Sequence, residues 1–464
     1  MAFSSIQYLV FFAALLFLVK IVRNEDARKW ILLGLSYIFY GFWDVRFVLL
    51  LAGMSVGNYY FGNRIHQAQD PAQRKRWLVI GVTANLSVLG VFKYFNFFLA
   101  SLSAVMGGRG VGSLHIILPV AISFITFEVI SYIADIYRGT TEPARDFREV
   151  ALLVAFFPHL IAGPILRPKQ FFPELRHPLV ITKENLFRGG QFYLFGIIKK
   201  VLIADRLSIF VDEVYKHPQD YSALTLWLAV IAYGIQIFCD FSGYSDMAIG
   251  SAKCLGLEIP PNFSMPYISK NITEFWRRWH ISLSSWLRDY LYISLGGNRK
   301  GKVRQYVNLM LVMLLGGLWH GASWSFMVWG GMHGLGLVVH KLWMEGIGKK
   351  VPDNSAMKAV SWLSTMIFVC ITWVFFRMSD FSVSLMIVRK MLGIGEGAGI
   401  VWLYRDLLLL LPFIVVAHLV GTKHGSKLRL NLDTFGGLFF LFFILLALLL
   451  WSPSQPAPFI YFQF

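Results

Sequence analysis

Apolar residues gather along this chain into long runs that are separated by short polar stretches. Most of the runs are long enough to cross a hydrocarbon core, which needs ~20 residues of helix. They lie near residues 6–22, 30–62, 77–106, 114–137, 150–165, 190–204, 223–253, 305–342, 360–376, 404–420 and 435–451. The runs lack the alternation of barrel strands, and unpaired backbone groups in lipid cost several kcal/mol. The pattern therefore predicts an all-α polytopic membrane protein.

Two of the runs are too long for one helix. Run 30–62 carries Asp44 and Arg46 near its middle, which favours two segments joined by a turn. Run 305–342 contains the glycine pairs 316–317 and 330–331, which favour two helices or one broken helix. We therefore expect roughly ten to thirteen membrane helices, with boundaries uncertain by several residues.

Composition supports the membrane assignment. Hydrophobic residues make up 56% of the 464 residues and charged residues only 15%, whereas soluble domains are about one quarter charged. The first run lacks a basic leading region and a clear cleavage site, so we interpret it as a retained first helix. We expect residues 1–464 to form a single membrane domain.

The net charge of +17 has a simple topological explanation. Basic residues lie in short loops between the runs, as at 74–76, 167–169 and 299–302, which is the distribution that the positive-inside rule produces. These loops should face the cytoplasm and the amino terminus the outside. Nucleic-acid binding is not needed to explain the charge, although an anionic cytosolic substrate could use part of it.

The longest polar insert, residues 255–304, is predicted to face the cytosol. Within it, apolar and aromatic residues recur at helical spacing from Ile272 to Leu295 and predict an amphipathic helix at the membrane interface. Asn271 or Thr273 could cap its start. The helix could be a plain interfacial anchor, but an anchor has no need for His280 on its apolar side.

His320 follows an apolar run in segment 305–342 and is flanked by small residues. Ionisable residues inside membrane segments usually face a cavity or a pathway. A neutral histidine there suits general-base chemistry on a hydroxyl or thiol, and a satisfied core histidine is the alternative. His333 and His340 have no Asp or Glu at ligand spacing, and the three cysteines are scattered, so we predict no metal site.

Several ordered motifs resemble the membrane-bound O-acyltransferase (MBOAT) family, in particular its bacterial alginate O-acetylation branch. The resemblance runs from the first helices to about residue 340. The motifs are 36–40 (SYIFY), 157–164 (FPHLIAGP), 240–250 (DFSGYSDMAIG), 276–292 (WRRWHISLSSWLRDYLY), 295–301 (LGGNRKG) and 314–321 (LLGGLWHG).

The resemblance implies the MBOAT fold, in which membrane helices surround a central tunnel. His320 corresponds to the family's invariant histidine, the expected catalytic base, and His280 to a second histidine that positions or polarises reacting groups. The enzyme would need no bound cofactor and would take an acyl thioester, acetyl-CoA being expected. Its phosphates could be attracted by a basic set: Arg277, Arg278, Arg288, Arg299 and Lys300.

A second set of polar residues is expected to brace the helices by hydrogen bonds: Asp240, Tyr244, Asp246 and Asp289. The resemblance places the protein in the bacterial inner membrane. There it would serve an exported polysaccharide such as alginate, with a periplasmic acetyltransferase as partner. The alternatives are O-acylation of peptidoglycan or teichoic acid, or transport of a glycolipid or polymer intermediate.

Overall fold

The computed structural model describes residues 1–107, 114–161, 163–394, 399–425, 430–453 and 457–462. Within these ranges it is helical and has no β-strand, apart from one isolated bridge between Tyr221 and Ile400. The predicted all-α class is therefore confirmed. The described residues form two compact units, Met1–Leu194 with Tyr244–Pro261, and Phe195–Gly243 with Asn262–Phe464.

The first unit contains the amino-terminal helices and the end of a long helix from the second half of the chain. Its helices are α1 (Ile6–Ile21), α2 (Glu25–Gly41), α3 (Arg46–Gln67), α4 (Pro71–Leu89), α5 (Phe95–Val105), α6 (Ile122–Arg138), α7 (Phe147–Ala155), α8 (Phe157–Leu160), α9 (Pro168–Arg176) and most of α10 (Lys183–Ile197). A π-helical turn, Gly90–Tyr94, joins α4 to α5.

Run 30–62 divides as predicted. Helix α2 ends at Gly41 and α3 begins at Arg46, with the Asp44 carboxylate accepting the Arg46 backbone N–H at 2.9 Å. The same carboxylate accepts from the Arg46 guanidinium at 3.0 Å. A charged pair at the turn explains why the apolar run does not continue as one helix.

The second unit contains the carboxyl-terminal half and both histidines of interest. Its helices are α11 (Asp205–Lys216), α12 (Ala223–Cys254, up to Gly243), α13 (Ile272–Arg278), α14 (Ile281–Trp286), α15 (Lys302–His320), α16 (Trp324–Glu345), α17 (Ser355–Arg377), α18 (Phe381–Met391), α19 (Arg405–His424) and α20 (Phe435–Trp451). Two π-helical segments, Ile198–Ala204 and Leu287–Tyr292, lie between them.

Four helical segments among the described residues are long and apolar enough to span a membrane. They are Pro71–Val105, Ala223–Cys254, Ser355–Arg377 and Arg405–Lys423. Two further apolar helices, Ile6–Ile21 and Phe435–Trp451, are shorter. The count of ten to thirteen membrane helices stays a prediction for the remaining segments.

The prediction of a single helix from Ile272 to Leu295 is wrong, because the helix is interrupted. Asn271 caps its start as expected, accepting the Glu274 N–H at 2.8 Å, but α13 ends at Arg278. His280 has a φ of 43°, a left-handed conformation that an α-helix of L-residues cannot contain. The polypeptide then resumes as α14 and a π-helical segment.

Helices α15 and α16 are separate, as predicted, but the break lies at residues 321–323 and not at either glycine pair. Those glycines lie inside the helices, where they allow close backbone contact. A Cβ on Gly317 would stand 2.2 Å from the Phe326 carbonyl oxygen, and a Cβ on Gly330 would stand 2.2 Å from that of Met313. The two backbones therefore touch just before His320.

We predict that Gly330→Ala destabilises the fold, whereas Gly331→Ala does not. The added methyl at 330 collides with the Met313 carbonyl, and such overpacking costs about 1–3 kcal/mol. At 331 it would meet only Leu314 Cδ2 at 3.4 Å, an ordinary contact, while helix propensity improves. Thermal unfolding in detergent checks this, and equal midpoints for the two variants would contradict it.

A buried ion cluster holds the carboxyl-terminal segment in the second unit. Lys200 Nζ lies 2.8 Å from carboxylate oxygens of both Asp205 and Asp240 and donates to the Ala457 carbonyl at 2.9 Å. The second oxygen of Asp240 accepts the Ile460 backbone N–H at 2.7 Å. One lysine thus links a π-helical segment, α12 and the chain's last residues.

We predict that Lys200→Met destabilises the protein by about 3–5 kcal/mol, because it leaves two buried carboxylates without their cation. It should also make the carboxyl-terminal residues accessible to carboxypeptidase. Lys199→Met is the matched control, since that neighbouring lysine is only half-buried. Equal unfolding midpoints and equal digestion rates for the two variants would rule out this role.

Candidate active site

His320 is the last residue of α15 and is only 5% exposed. Four aromatic rings surround its imidazole, with centroid separations of 5.1 Å to Trp319, 5.0 Å to Trp329, 5.2 Å to Phe376 and 5.7 Å to Tyr461. They come from α15, α16, α17 and the carboxyl-terminal segment. The histidine predicted from sequence therefore lies in a buried aromatic site.

His280 occupies the break between α13 and α14 and is fully buried. Its Nδ1 lies 3.1 Å from Asn262 Oδ1, which also accepts the Ser282 backbone N–H at 3.2 Å and the Ser282 hydroxyl at 2.9 Å. The backbone donor identifies that Asn262 atom as the oxygen. His280 Nδ1 must then donate, so the neutral ring has its lone pair on Nε2.

The structure brings the two histidines into one aromatic cluster. Trp319 contacts both, at 6.0 Å from the His280 ring and 5.1 Å from the His320 ring. A second route runs from His280 through Phe241 at 4.7 Å to Tyr461 at 4.8 Å, and Tyr461 packs on His320. Residues forty positions apart in sequence thus share one buried site.

The carboxyl-terminal segment is a part of this site that the sequence did not predict. Its residues are aromatic and uncharged, a composition that predicts packing at the membrane interface. In the structure, Phe459 and Ile460 are each 1% exposed and Tyr461 lies between Phe241 and His320. In the structure, Lys200 and Asp240 bind the backbone of this segment at Ala457 and Ile460. These residues lie more than 200 positions before the segment, so no local sequence pattern predicts the contact.

The five basic residues predicted to attract the donor lie on or near the surface of the insert. Arg277, Arg288, Arg299 and Lys300 are exposed and Arg278 is half-buried. Arg278 pairs with Glu274 at 2.9 Å. The hydrogen bond from Arg288 to the Asp289 carboxylate, at 2.7 Å, raises the pKa of Arg288 above its ordinary value. Two of the five predicted cations are thus paired with carboxylates, and four of the five are exposed.

The four residues expected to brace the helices lie in three different surroundings. Asp240 belongs to the Lys200 ion cluster, and Asp289 pairs with Arg288 at the surface. Tyr244 lies in the first unit with its ring 5.9 Å from that of Phe3, and Asp246 is half-buried on the same helix. Asp240 connects to the histidine cluster through the backbone of Ile460.

The other histidines of α16 make hydrogen bonds with protein groups. His333 Nδ1 accepts from the Trp276 indole at 3.2 Å, and His340 Nδ1 lies 2.9 Å from the Thr273 hydroxyl. In the first unit, His159 pairs with Glu128 at 3.1 Å. Chemically, the second unit offers two neutral imidazoles close together among aromatic rings, which suits proton transfer to and from a bound hydroxyl.

Comparisons with known proteins identify the family of this chain. The profile of the MBOAT, membrane-bound O-acyltransferase family, matches residues 146–386, which include both histidines. The chain is 38% identical over 499 aligned residues to a probable alginate O-acetylase AlgI of Pseudomonas putida, covering 100% of both proteins.

Two further relatives are similar over most of the chain. A probable alginate O-acetylase AlgI of Pseudomonas aeruginosa is 43% identical over 85% of this chain and 75% of the relative. The peptidoglycan O-acetyltransferase of Helicobacter pylori is 38% identical over 79% of this chain and 74% of the relative. This chain therefore belongs to the membrane-bound O-acyltransferase family and is a membrane-embedded O-acyltransferase.

Proposed function

We propose that this protein moves an acetyl group from a cytosolic thioester, acetyl-CoA, to an exported polysaccharide of the alginate type. The observation that carries the proposal is the buried ring cluster in which Trp319 contacts both His280 and His320. Full-length similarity to an alginate O-acetylase supports the acceptor class. The setting is the bacterial inner membrane, with the chain crossing it several times.

In the proposed reaction, His320 is the general base. It takes the proton from an acceptor hydroxyl while that oxygen attacks the thioester carbonyl carbon. A tetrahedral oxyanion forms, and its collapse expels the thiolate, which recovers the proton from His320. The aromatic rings around His320 exclude water, which protects the thioester from hydrolysis.

His280 is the proposed partner of the base. Because its Nδ1 donates to Asn262, its Nε2 can accept a hydrogen bond but not donate one in the neutral ring. This favours contact with a second hydroxyl of the acceptor sugar over polarisation of the carbonyl. His280 would therefore orient the acceptor sugar toward the thioester while His320 removes the proton of the attacking hydroxyl.

The donor would approach from the cytosolic side of the insert. Exposed Arg277, Arg288, Arg299 and Lys300, with half-buried Arg278, form a basic surface suited to the phosphates of a CoA thioester. No bound cofactor is needed, since the thioester itself carries the acyl group. A periplasmic acetyltransferase is the proposed partner that completes delivery.

Peptidoglycan is the second candidate acceptor, because the Helicobacter pylori peptidoglycan O-acetyltransferase is also 38% identical over most of the chain. The alginate O-acetylase relative aligns over the whole of both chains, which favours an acceptor of the alginate type over peptidoglycan. Teichoic acid remains a third acceptor to assay. The family match and the paired histidines favour an enzyme over the transporter alternative.

We predict that His320→Ala abolishes acetyl transfer. The protein in nanodiscs, alone and together with a periplasmic acetyltransferase, is incubated with radiolabelled acetyl-CoA and alginate, peptidoglycan or teichoic-acid fragments, and labelled polymer is counted. Loss of the base should lower the rate at least about 10²-fold. His280→Ala should also lose transfer, but less completely.

His340→Ala is the matched control, since this histidine bonds Thr273 away from the ring cluster and should leave the rate unchanged. Full activity in a well-folded His320→Ala protein would refute the mechanism. Transfer to peptidoglycan fragments but not to alginate fragments would replace the proposed acceptor by the second candidate.

We further predict that Asn262→Ala lowers the transfer rate by up to about 10²-fold, because His280 then loses the acceptor that fixes its Nδ1 proton and ring orientation. Ser282→Ala removes another donor to the same oxygen and should have a much smaller effect. The comparison is made on turnover number and on the pH profile of transfer. Equal losses in the two variants would show that the Asn262 contact to His280 is not functional.

A further inference from the structure

Helix α16 has two buried nitrogen donors that lack an acceptor among the described residues, and one of them belongs to the Trp329 ring that packs on His320. Within the described residues, neither Trp329 Nε1 nor His333 Nε2 has a hydrogen-bond partner. Trp329 is 1% exposed and His333 is fully buried, and both lie on α16. Buried polar groups are normally hydrogen-bonded, so two neighbouring exceptions require a physical reason.

The hydrogen bond on the opposite side of the His333 ring fixes which nitrogen carries the proton. Trp276 Nε1 can only donate, and it donates to His333 Nδ1 at 3.2 Å. Nδ1 therefore holds a lone pair, and the neutral ring has its hydrogen on Nε2. Both nitrogens without partners, Trp329 Nε1 and His333 Nε2, are consequently N–H donors.

The two donors belong to rings in direct contact next to the proposed base. The centroids of Trp329 and His333 are 4.7 Å apart, and that of Trp329 is 5.0 Å from that of His320. Phe376 of α17 packs on Trp329 at 5.0 Å, which limits the movement of the indole. The donors are therefore held in place before any substrate enters.

The energetic cost of this arrangement indicates a missing acceptor. A buried N–H without a partner destabilises the fold, and a phenylalanine or leucine at these positions would avoid that cost if packing were their only role. A carbonyl oxygen can accept two hydrogen bonds, and its need for them grows when it becomes an oxyanion. The reacting thioester is the substrate group near His320 that has such an oxygen.

We propose that Trp329 Nε1–H and His333 Nε2–H donate hydrogen bonds to the carbonyl oxygen of the acyl thioester. This inference rests on the proposed acyl transfer and adds two catalytic residues to it. As the acceptor oxygen attacks, its proton passes to His320 and the carbonyl π electrons move to the oxygen between the two donors. Re-formation of the C=O bond expels the thiolate, which takes the proton from His320.

The kinetic test compares Trp329→Phe with Trp373→Phe in nanodiscs. Trp329→Phe keeps an aromatic ring but removes the N–H, and we expect kcat to fall about 10²-fold with little change in KM. Trp373→Phe removes a buried indole N–H from the ring that packs on Trp329 and Phe376, and should keep kcat close to the wild-type value. A fall in kcat for Trp329→Phe but not for Trp373→Phe would support a catalytic role for the Trp329 N–H. Equal falls in kcat for the two variants would indicate a general packing effect and contradict that role.

A second pair of variants tests His333. His333→Gln can keep an amide N–H near the position of Nε2 and should retain much of the activity, whereas His333→Leu should lose it as Trp329→Phe does. If Trp329→Phe fails to fold, the Gln and Leu variants decide the question. Equal kcat values for Gln and Leu would overturn the role of His333.

Infrared spectroscopy gives a readout that packing would not change. Acetyl-CoA with a ¹³C-labelled carbonyl is bound to a His320→Ala background, which does not turn it over. We expect a lower carbonyl stretching frequency than in solution, reverting toward the solution value when Trp329→Phe is added. An unchanged frequency and an unchanged kcat in Trp329→Phe would overturn the inference, whereas absence of transfer by the wild-type protein would overturn the proposed function.

Discussion

The backbone contact between α15 and α16 is the constraint on which the active site depends. Gly317 and Gly330 let carbonyl groups of the facing helix approach to within 2.2 Å of where a Cβ would stand. His320 ends α15 only three residues after Gly317, and Trp329 of α16 immediately precedes Gly330. A side chain at either glycine would separate the helices, and with them the imidazole and indole that pack at 5.0 Å.

Aromatic residues, rather than charges, build the surroundings of both histidines. Rings hold an imidazole by shape and weak edge contacts while leaving it neutral, which a general base requires. The buried charges lie outside these rings, where Lys200 pairs with both Asp205 and Asp240 and where Asp240 anchors the backbone of Ile460. The ion cluster therefore positions Tyr461 against His320 without placing a charged group on that ring.

Periodic features of the sequence predicted the helical class, the turn between α2 and α3, the division of segment 305–342 and the Asn271 cap. They could not predict where backbone conformation departs from the pattern. The spacing from Ile272 to Leu295 is helical, yet His280 adopts a φ of 43° because its ring and Ser282 both bond Asn262, eighteen and twenty residues earlier. Local periodicity carries no information about such a distant partner, nor about the carboxyl-terminal segment at His320.

The neighbours of His280 and His333 also determine which ring nitrogens donate hydrogen bonds and which accept them. Asn262 Oδ1 accepts from His280, so His280 presents a lone pair, whereas the Trp276 indole donates to His333, so His333 presents an N–H. The hydroxyl groups of an acceptor sugar need hydrogen-bond acceptors, and a carbonyl under attack needs donors. The acceptor sugar and the thioester carbonyl thus each have complementary hydrogen-bond partners within one ring cluster. Neither set of hydrogen bonds places an additional charge in the membrane.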